Sequence, residues 1–337
     1  MKKSKFKLFA ALLLAAAMTV LSLSGAAPVL ADETAAIFAN AAKSPAMHTA
    51  PEGYDQNDFT KVRTFLEQTD SNGIRNGEKL NPDGYDPDDP ESWGALFVDE
   101  WGFEHEAYFD WEEVDGINRM FAINLTYIKD FAGTFDMSGL DALSTLDVDG
   151  GNFTTADLSN CYEMTHCYFA NSTLSSVNFF NCANVTELYL QDNELTEVLN
   201  LGDCTSLLFL DILMNNDLEE IDLSGCERII EHLDFSQTKV SDINETEMFA
   251  LCEFSCESSG ITELDLRNCN YLNYVNCNFC DMDFLYLPEL PNNLAVNCME
   301  TGLTELNYEN CGGIYDLSIS GNPGLTGKLN LASNPHL

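Results

Sequence analysis

Positive charge is what this chain lacks most: 15 Lys and Arg stand against 55 Asp and Glu, a formal net charge of −40 over 337 residues. A surface of that sign repels nucleic-acid phosphates and anionic lipid head groups, which leaves a cationic, neutral or metal-bridged partner. Histidine is also scarce, with five in all, and none pairs convincingly with a nucleophile. His48 and His336 lie near the two ends; His105 sits among Glu104, Glu106 and Asp110, where a solvated acidic loop outweighs a metal site. No cysteine precedes Cys161, so no N-terminal cysteine can carry a lipid anchor. Beyond the first residues no apolar run reaches the ~20 that span a bilayer, and membrane insertion is not expected.

The first residues themselves read as an address. Lys2, Lys3, Lys5 and Lys7 precede an apolar run from about Leu8 to Leu23, and Val29-Leu30-Ala31 stands before Asp32. That is a bacterial secretory signal peptide over 1–31, implying a secreted protein. Residues 32–51 are rich in Ala, Thr and Ser without apolar periodicity and suggest a flexible leader. A small α+β cap is expected over 52–116. Phe59, Val62, Phe65 and Leu66 form a helical stripe behind Asn57-Asp58, with an Asx residue available as its cap. The Asp83 to Pro90 stretch is loop, and Phe109 to Trp111 and Ile117 to Leu125 read as strands. The helix, Trp93 and Trp111 would then shield the open apolar edge of the next structural unit.

From about residue 117 onward the chain is periodic. Phe254-Ser255-Cys256, Val275-Asn276-Cys277 and Val296-Asn297-Cys298 recur at 21-residue intervals. The same register places coil starts at Ile123, Leu146, Cys167, Leu188, Leu210, Leu233, Phe254, Val275, Val296 and Leu317, with intervals of 21 to 23. In one full copy Val185, Leu188, Leu190, Asn193 and Leu195 fill L-x-x-L-x-L-x-x-N-x-L, the leucine-rich-repeat signature. The expected fold is therefore a mainly β leucine-rich-repeat solenoid of about ten coils over 117–337, right-handed, with a parallel sheet on its concave side. Each variable half-coil, such as Ile221-Asp222-Leu223-Ser224-Gly225-Cys226, alternates with period two, predicting a second strand or 3₁₀ turn instead of a helix. Asn334-Pro335-His336-Leu337 matches Asn322-Pro323-Gly324-Leu325 inside a coil, so the solenoid is expected to be incomplete at its C-terminus.

The L-D-L-S-x-C half-coil and the cap with Asp86-Pro87 and Asp89-Pro90 before Trp93 resemble secreted leucine-rich-repeat proteins of Gram-positive gut bacteria, related in architecture to internalins. The resemblance covers Asp58 to Leu337. It implies recognition at or outside the cell surface without catalysis. The chain departs from the family in showing no C-terminal attachment module, which leaves surface retention open.

The chemistry-bearing residues follow the repeat. Cys161, Cys182, Cys204, Cys226, Cys269 and Cys311 end the second strands, with Met248 and Leu290 at the missing members; Cys256, Cys277 and Cys298 are inward positions of the first strands. In-register parallel neighbours do not give an unstrained S–S torsion, which favours buried free thiols. Cys277-Asn278-Phe279-Cys280 has the spacing of a redox or zinc motif. Cys280, however, takes the place that Asn193, Asn215 and Asn322 fill elsewhere, and a structural role is favoured over zinc with Cys256 and Cys298 or redox work. Asp70-Ser71-Asn72-Gly73 begins like a calcium loop and fails at Ile74 and Arg75. No cofactor is expected. Structural calcium is the weaker alternative for the column Asp136, Asp157, Asp222 and Asp265, whose repulsion the intervening Asn178, Asn200, Asn244 and Asn307 already relieve.

The concave face offers the candidate site. His166, Tyr168, Glu187, Tyr189, Phe209, Asp211, Leu213, His232 and Asp234 fall on four adjacent rows, as an exposed aromatic patch rimmed by acid. Packing against the cap or a second molecule is the bland alternative. The expected function is a secreted or surface-associated, monomeric, non-catalytic module that binds a protein or neutral glycan there. The competing class is the binding region of a larger surface enzyme.

Overall fold

The computed structural model describes residues 48–98, 103–126, 130–289, 293–306 and 311–326, with Ala332, Asn334 and Leu337. The expected signal segment, most of the leader, Leu290, Asn307 and His336 lie outside the described residues.

The chain is a leucine-rich-repeat solenoid. Its main sheet has twelve strands, ten of them parallel. Ile123, Leu146, Cys167, Leu188, Leu210, Leu233, Phe254, Val275, Val296 and Leu317 are successive Cα partners across that sheet, so the register read from the repeat holds at every step. The first nine are buried and Leu317 packs against the same core, a continuous row that no single coil could cover alone. The variable halves form short strands, such as Ser176–Asn178, Asp217–Asp222 and Glu263–Asp265, grouped in three smaller sheets. A 3₁₀ turn at Glu245–Glu247 interrupts them. Among the described residues both α-helices lie in the cap.

Two repeating devices close each coil. Four residues past each coil start from Leu146 onward the backbone turns left-handed, at Gly150, Asn171, Asp192, Met214, Gln237, Ser258, Phe279, Glu300 and Gly321, with φ between 50° and 81°. Glycine, Asn and Asp accept that conformation readily; Met214 and Phe279 do so at a cost. One residue later comes the buried ladder. Asn215 Nδ2 donates to the carbonyls of Leu190 (3.0 Å) and Ile212 (2.8 Å), and its Oδ1 accepts from Leu195 N–H (3.1 Å), satisfying backbone groups that the turn leaves inside the core.

The cap is built from helix α1 (Gln56–Leu66), helix α2 (Asn76–Leu80) and strands β1 (Ala95–Val98), β2 (Glu104–Val114) and β3 (Ile117–Leu125). These strands pair antiparallel and hand the sheet over to the coils at β3. Phe59, Val62, Phe65 and Leu66 of α1 are buried, Trp93 is buried against Phe59, and Trp111 is half-buried. The residue capping α1 is Asp55, whose side chain accepts from Asn57 and Asp58 N–H, and neither Asn57 nor Asp58 is the cap. Asp58 is instead fully buried, accepting from Arg119 Nε (2.8 Å) and Met120 N–H (3.0 Å), while Arg119 also reaches Asp141 in the first coil. Side-chain amides finish the open edge. Gln68 exchanges two hydrogen bonds with the backbone of Thr134, and Asn76 bonds both the N–H and the carbonyl of Ala132. They play the part of a missing neighbouring strand.

Candidate ligand-binding face

The strand rule that buries each coil start turns its two neighbours outward. One outward column runs Thr145, His166, Glu187, Phe209, His232, Glu253 and Tyr274; the other runs Asp147, Tyr168, Tyr189, Asp211, Asp234, Ser255 and Asn276. Eight of the nine candidate residues therefore occupy these columns on four consecutive rows, and Leu213 sits beside them, half-buried.

The rings touch in sequence. Tyr168 lies 6.0 Å from Tyr189, Tyr189 lies 4.8 Å from Phe209, and Phe209 stacks on the His232 imidazole at 3.9 Å with 4° between planes. His166 adds a contact to Tyr189 at 5.6 Å. This stacking corrects the expectation of exposed aromatics: all five rings belong to half-buried residues, because each shields the next. A half-buried row is a rigid surface, and rigid aromatic surface loses little entropy when a ligand covers it.

Acid surrounds the row. His166 Nδ1 is 3.3 Å from Glu187 and its Nε2 3.5 Å from Asp147, while His232 Nδ1 is 3.0 Å from Glu253. Asp147 and Glu253 were not among the sequence candidates; the signal for them was the register itself, one row before and one row after the patch. Burial holds the carboxyls of Asp147 and Asp211 above the usual range, opposed at Asp147 by His166; at Asp211 the Leu213 N–H and the His232 charge oppose it while Asp234 reinforces it. Burial likewise raises the Tyr189 phenol, with the Glu187 charge acting in the same direction.

No protein-family model matches the sequence, and no curated protein matches it. Among solved structures the chain is similar to an internalin, inlF, from Listeria monocytogenes, at 18% identity and a TM-score of 0.45, over 65% of this chain and 59% of that one. It is similar to the functional domain of InlJ from the same organism, which includes a cysteine ladder, at 20% identity and a TM-score of 0.40, over 65% and 57%. A Leptospira interrogans leucine-rich-repeat protein is similar at 15% identity and a TM-score of 0.32, over 60% and 70%. The chain thus spans less than two thirds of the two Listeria structures. Likeness at this level concerns architecture and says nothing of activity or partners.

The other motifs resolve into structure. All twelve cysteines are free thiols, eleven buried and Cys252 half-buried. Cys161 and Cys182 donate S–H to carbonyls of the preceding coil, at Met137 (3.3 Å) and Leu158 (3.1 Å). Burial pushes the thiols of Cys182 and Cys311 up to about 11 and those of Cys226 and Cys269 up to about 12, which makes them poor nucleophiles. Cys280 donates to the Cys256 carbonyl at 3.0 Å, just as Asn193 and Asn322 donate to Phe169 (2.8 Å) and Cys298 (2.6 Å). The C-x-x-C is therefore a ladder position with sulfur in place of an amide. Hydrogen bonding from Cys256, 3.9 Å away, brings the Cys280 thiol down to about 7 against the opposing effect of burial.

The Asp and Asn column of the second strands caps turns. Oδ1 of Asp136, Asp157, Asn178, Asn200, Asp222 and Asp265 each accepts the N–H two residues on. Lys61, Asn178 and Arg267 supply further donors to Asp136, Asp157 and Asp265. A surface depression of about 520 Å³ beside Asn178, Phe180, Asn200 and Asp222 lies at a break between these sheets. Its Asp203 and Asp222 carboxylates already accept backbone N–H groups. His105 lies within β2, paired opposite Phe97, and not in the acidic loop expected for it. Asp70 accepts from Asn72 and Ile74 N–H and pairs with Lys79, as a closed turn. Among the described residues no group of three or more His, Cys, Asp or Glu is arranged to hold a metal ion, and no helix is long and apolar enough to cross a membrane.

Proposed function

We propose that the chain is a secreted or surface-associated recognition module without catalytic activity, binding a protein or a neutral glycan through the face centred on Tyr168, Tyr189 and Phe209. The observation that carries this reading is the unbroken row of rings from Tyr168 to His232 on the sheet's outward side. Among the described residues no core lies on that side to explain it: the coil starts between the outward residues already fill the interior. A few rigid aromatics of this kind commonly dominate an interface at about 2 kcal/mol each.

Selection of a random peptide display library and a glycan array against the full chain tests the proposal. Ligands from either should bind Tyr189→Ala and Phe209→Ala at least about tenfold more weakly. Each truncation also removes ring contacts worth about 0.5–1.5 kcal/mol, so retained folding is checked by circular dichroism. Ligands that bind both variants as tightly as the parent would move the site off this face.

A further inference from the structure

We infer that the partner of this face is a basic protein segment, which seats a lysine or arginine side chain alongside the Tyr189 and Phe209 rings and against the carboxylates of Asp211 and Asp234. This rests on the reading of the face as the binding surface and adds to it the chemistry of the occupant.

The face has a one-sided composition. From Ala122 to Asp316 and from Asn124 to Ser318 the two outward columns contain no lysine and no arginine, yet they carry Asp147, Glu187, Asp211, Asp234, Glu253 and Asp316. Elsewhere the protein places its few cations on its acids: Lys61 on Asp136, Arg267 on Asp265, Lys239 on Asp217 and Arg228 on Glu247. On this face the two histidines approach Asp147, Glu187 and Glu253, and the Tyr189 hydroxyl also donates to Glu187 at 3.4 Å.

Of the other three, Asp316 is exposed on the last row of the sheet, and Asp211 and Asp234 stand on the aromatic rows. Each uses Oδ1 to accept the N–H two residues on, from Leu213 (3.1 Å) and Ser236 (2.8 Å), and Oδ2 of each meets no donor among the described residues. They are direct cross-strand partners, so two like charges stand on rows about 4.8 Å apart, an arrangement that destabilises a sheet. The turn does not require that charge. Asn276, in the same column, makes the equivalent bond to Asn278 N–H at 3.3 Å with a neutral side chain. The carboxylates thus carry a surplus of acceptors and of charge that the fold leaves unused, and burial already keeps the Asp211 carboxyl above its ordinary pKa.

What is missing beside these two carboxylates is a donor. A guanidinium or ammonium group supplies several and balances the paired charges. A neutral sugar meets the rings and the acceptors but leaves the charge uncompensated.

Hexa-arginine and its uncharged analogue hexa-citrulline, titrated into the full chain at about 0.15 M salt, provide the test. Because any polycation is drawn to so acidic a protein, the comparison that decides is between two double variants of equal charge. Asp211→Asn with Asp234→Asn should weaken hexa-arginine by about tenfold or more, since it removes the desolvated contacts. Glu197→Gln with Glu220→Gln, on the second-strand side, should change it less than about twofold. Hexa-citrulline should bind far more weakly than hexa-arginine and respond to neither variant. Asparagine keeps the Oδ1 acceptor that each turn uses, so the first variant retains its fold. Equal losses in the two variants, or equal binding of the two peptides, would overturn the inference. A library or array ligand that is uncharged yet lost in Tyr189→Ala would leave the face standing as the binding surface while refuting its basic partner.

Discussion

At Phe279 the backbone has a φ of 60°, and this reverses an ordinary rule of substitution. Alanine normally stabilises relative to glycine by about 0.5–1 kcal/mol, because glycine gives the unfolded chain more freedom. In the left-handed region a Cβ crowds the following carbonyl at a cost of about 1–2 kcal/mol, which glycine avoids. Phe279→Gly and Phe279→Ala lose the same half-exposed ring, so its packing cancels in the comparison. The difference left is conformational: the glycine variant should be more stable than the alanine variant by about 1 kcal/mol, with Phe279→Asn close to glycine. Urea denaturation of the three variants measures this. Asn276→Gly and Asn276→Ala, in a strand, serve as the control and should follow the ordinary order. An alanine variant at 279 as stable as the glycine variant would show that the turn is not left-handed there and would undo the account of how each coil closes.

Asn215→Ala should cost about 3 kcal/mol or more in the same assay, because it leaves the Leu195 N–H and the carbonyls of Leu190 and Ile212 buried without partners; a loss below about 1 kcal/mol would remove the ladder from the stability argument. Arg119→Met should cost about 3–5 kcal/mol by stranding the buried Asp58 carboxylate, and Asp58→Asn added to it should recover part of that loss if the pairing is the cause. Because the folded state raises the Asp211 pKa, chiefly by burial, the ionised group costs stability above that raised value and nothing below the usual carboxylate pKa of about 4. Asp211→Asn should accordingly raise the melting temperature at neutral pH, with the gain fading as pH falls through about 4; a gain that persists at lower pH has another source. Alkylation of unreduced protein should label Cys252 first under native conditions and every cysteine after denaturation, and four or more disulfides would refute the buried-thiol reading.

Periodicity carried most of the fold. A coil that repeats every 21 to 23 residues has a single stacking register, and the positions from Ile123 to Leu317 were therefore legible before any contact was known. Asx residues in the second strands were legible as a column, though their work as turn acceptors was not. What escaped depended on distant partners. Three Asx residues, Asp55, Asn57 and Asp58, stand near the start of α1, and local sequence cannot say that Asp55 caps it, because Asp58 is withdrawn by Arg119, 61 residues away. His105 looked like loop because its strand exists only through pairing with β1. The outward direction of Tyr189 and Phe209 followed from alternation, whereas their mutual shielding is set by rotamers across rows, which no single coil specifies.

The division of labour among the columns bears on where a ligand is to be sought. Inward residues fill the core; the ladder of Asn193, Asn215, Cys280 and Asn322 closes the turns on one side of each coil. The Asp and Asn column ends the second strands on the other. Each of these has its hydrogen bonds made within the protein. The outward columns of the main sheet need only one acceptor per turn, and Asn276 meets that need without charge. Where the same column instead presents Asp211 and Asp234 beside stacked rings, the residues exceed what the solenoid requires and bring repulsion that a folded chain alone gains nothing from. Departures from local consistency of that kind are the places where a protein trades stability for function, and here they coincide on four consecutive rows of one face.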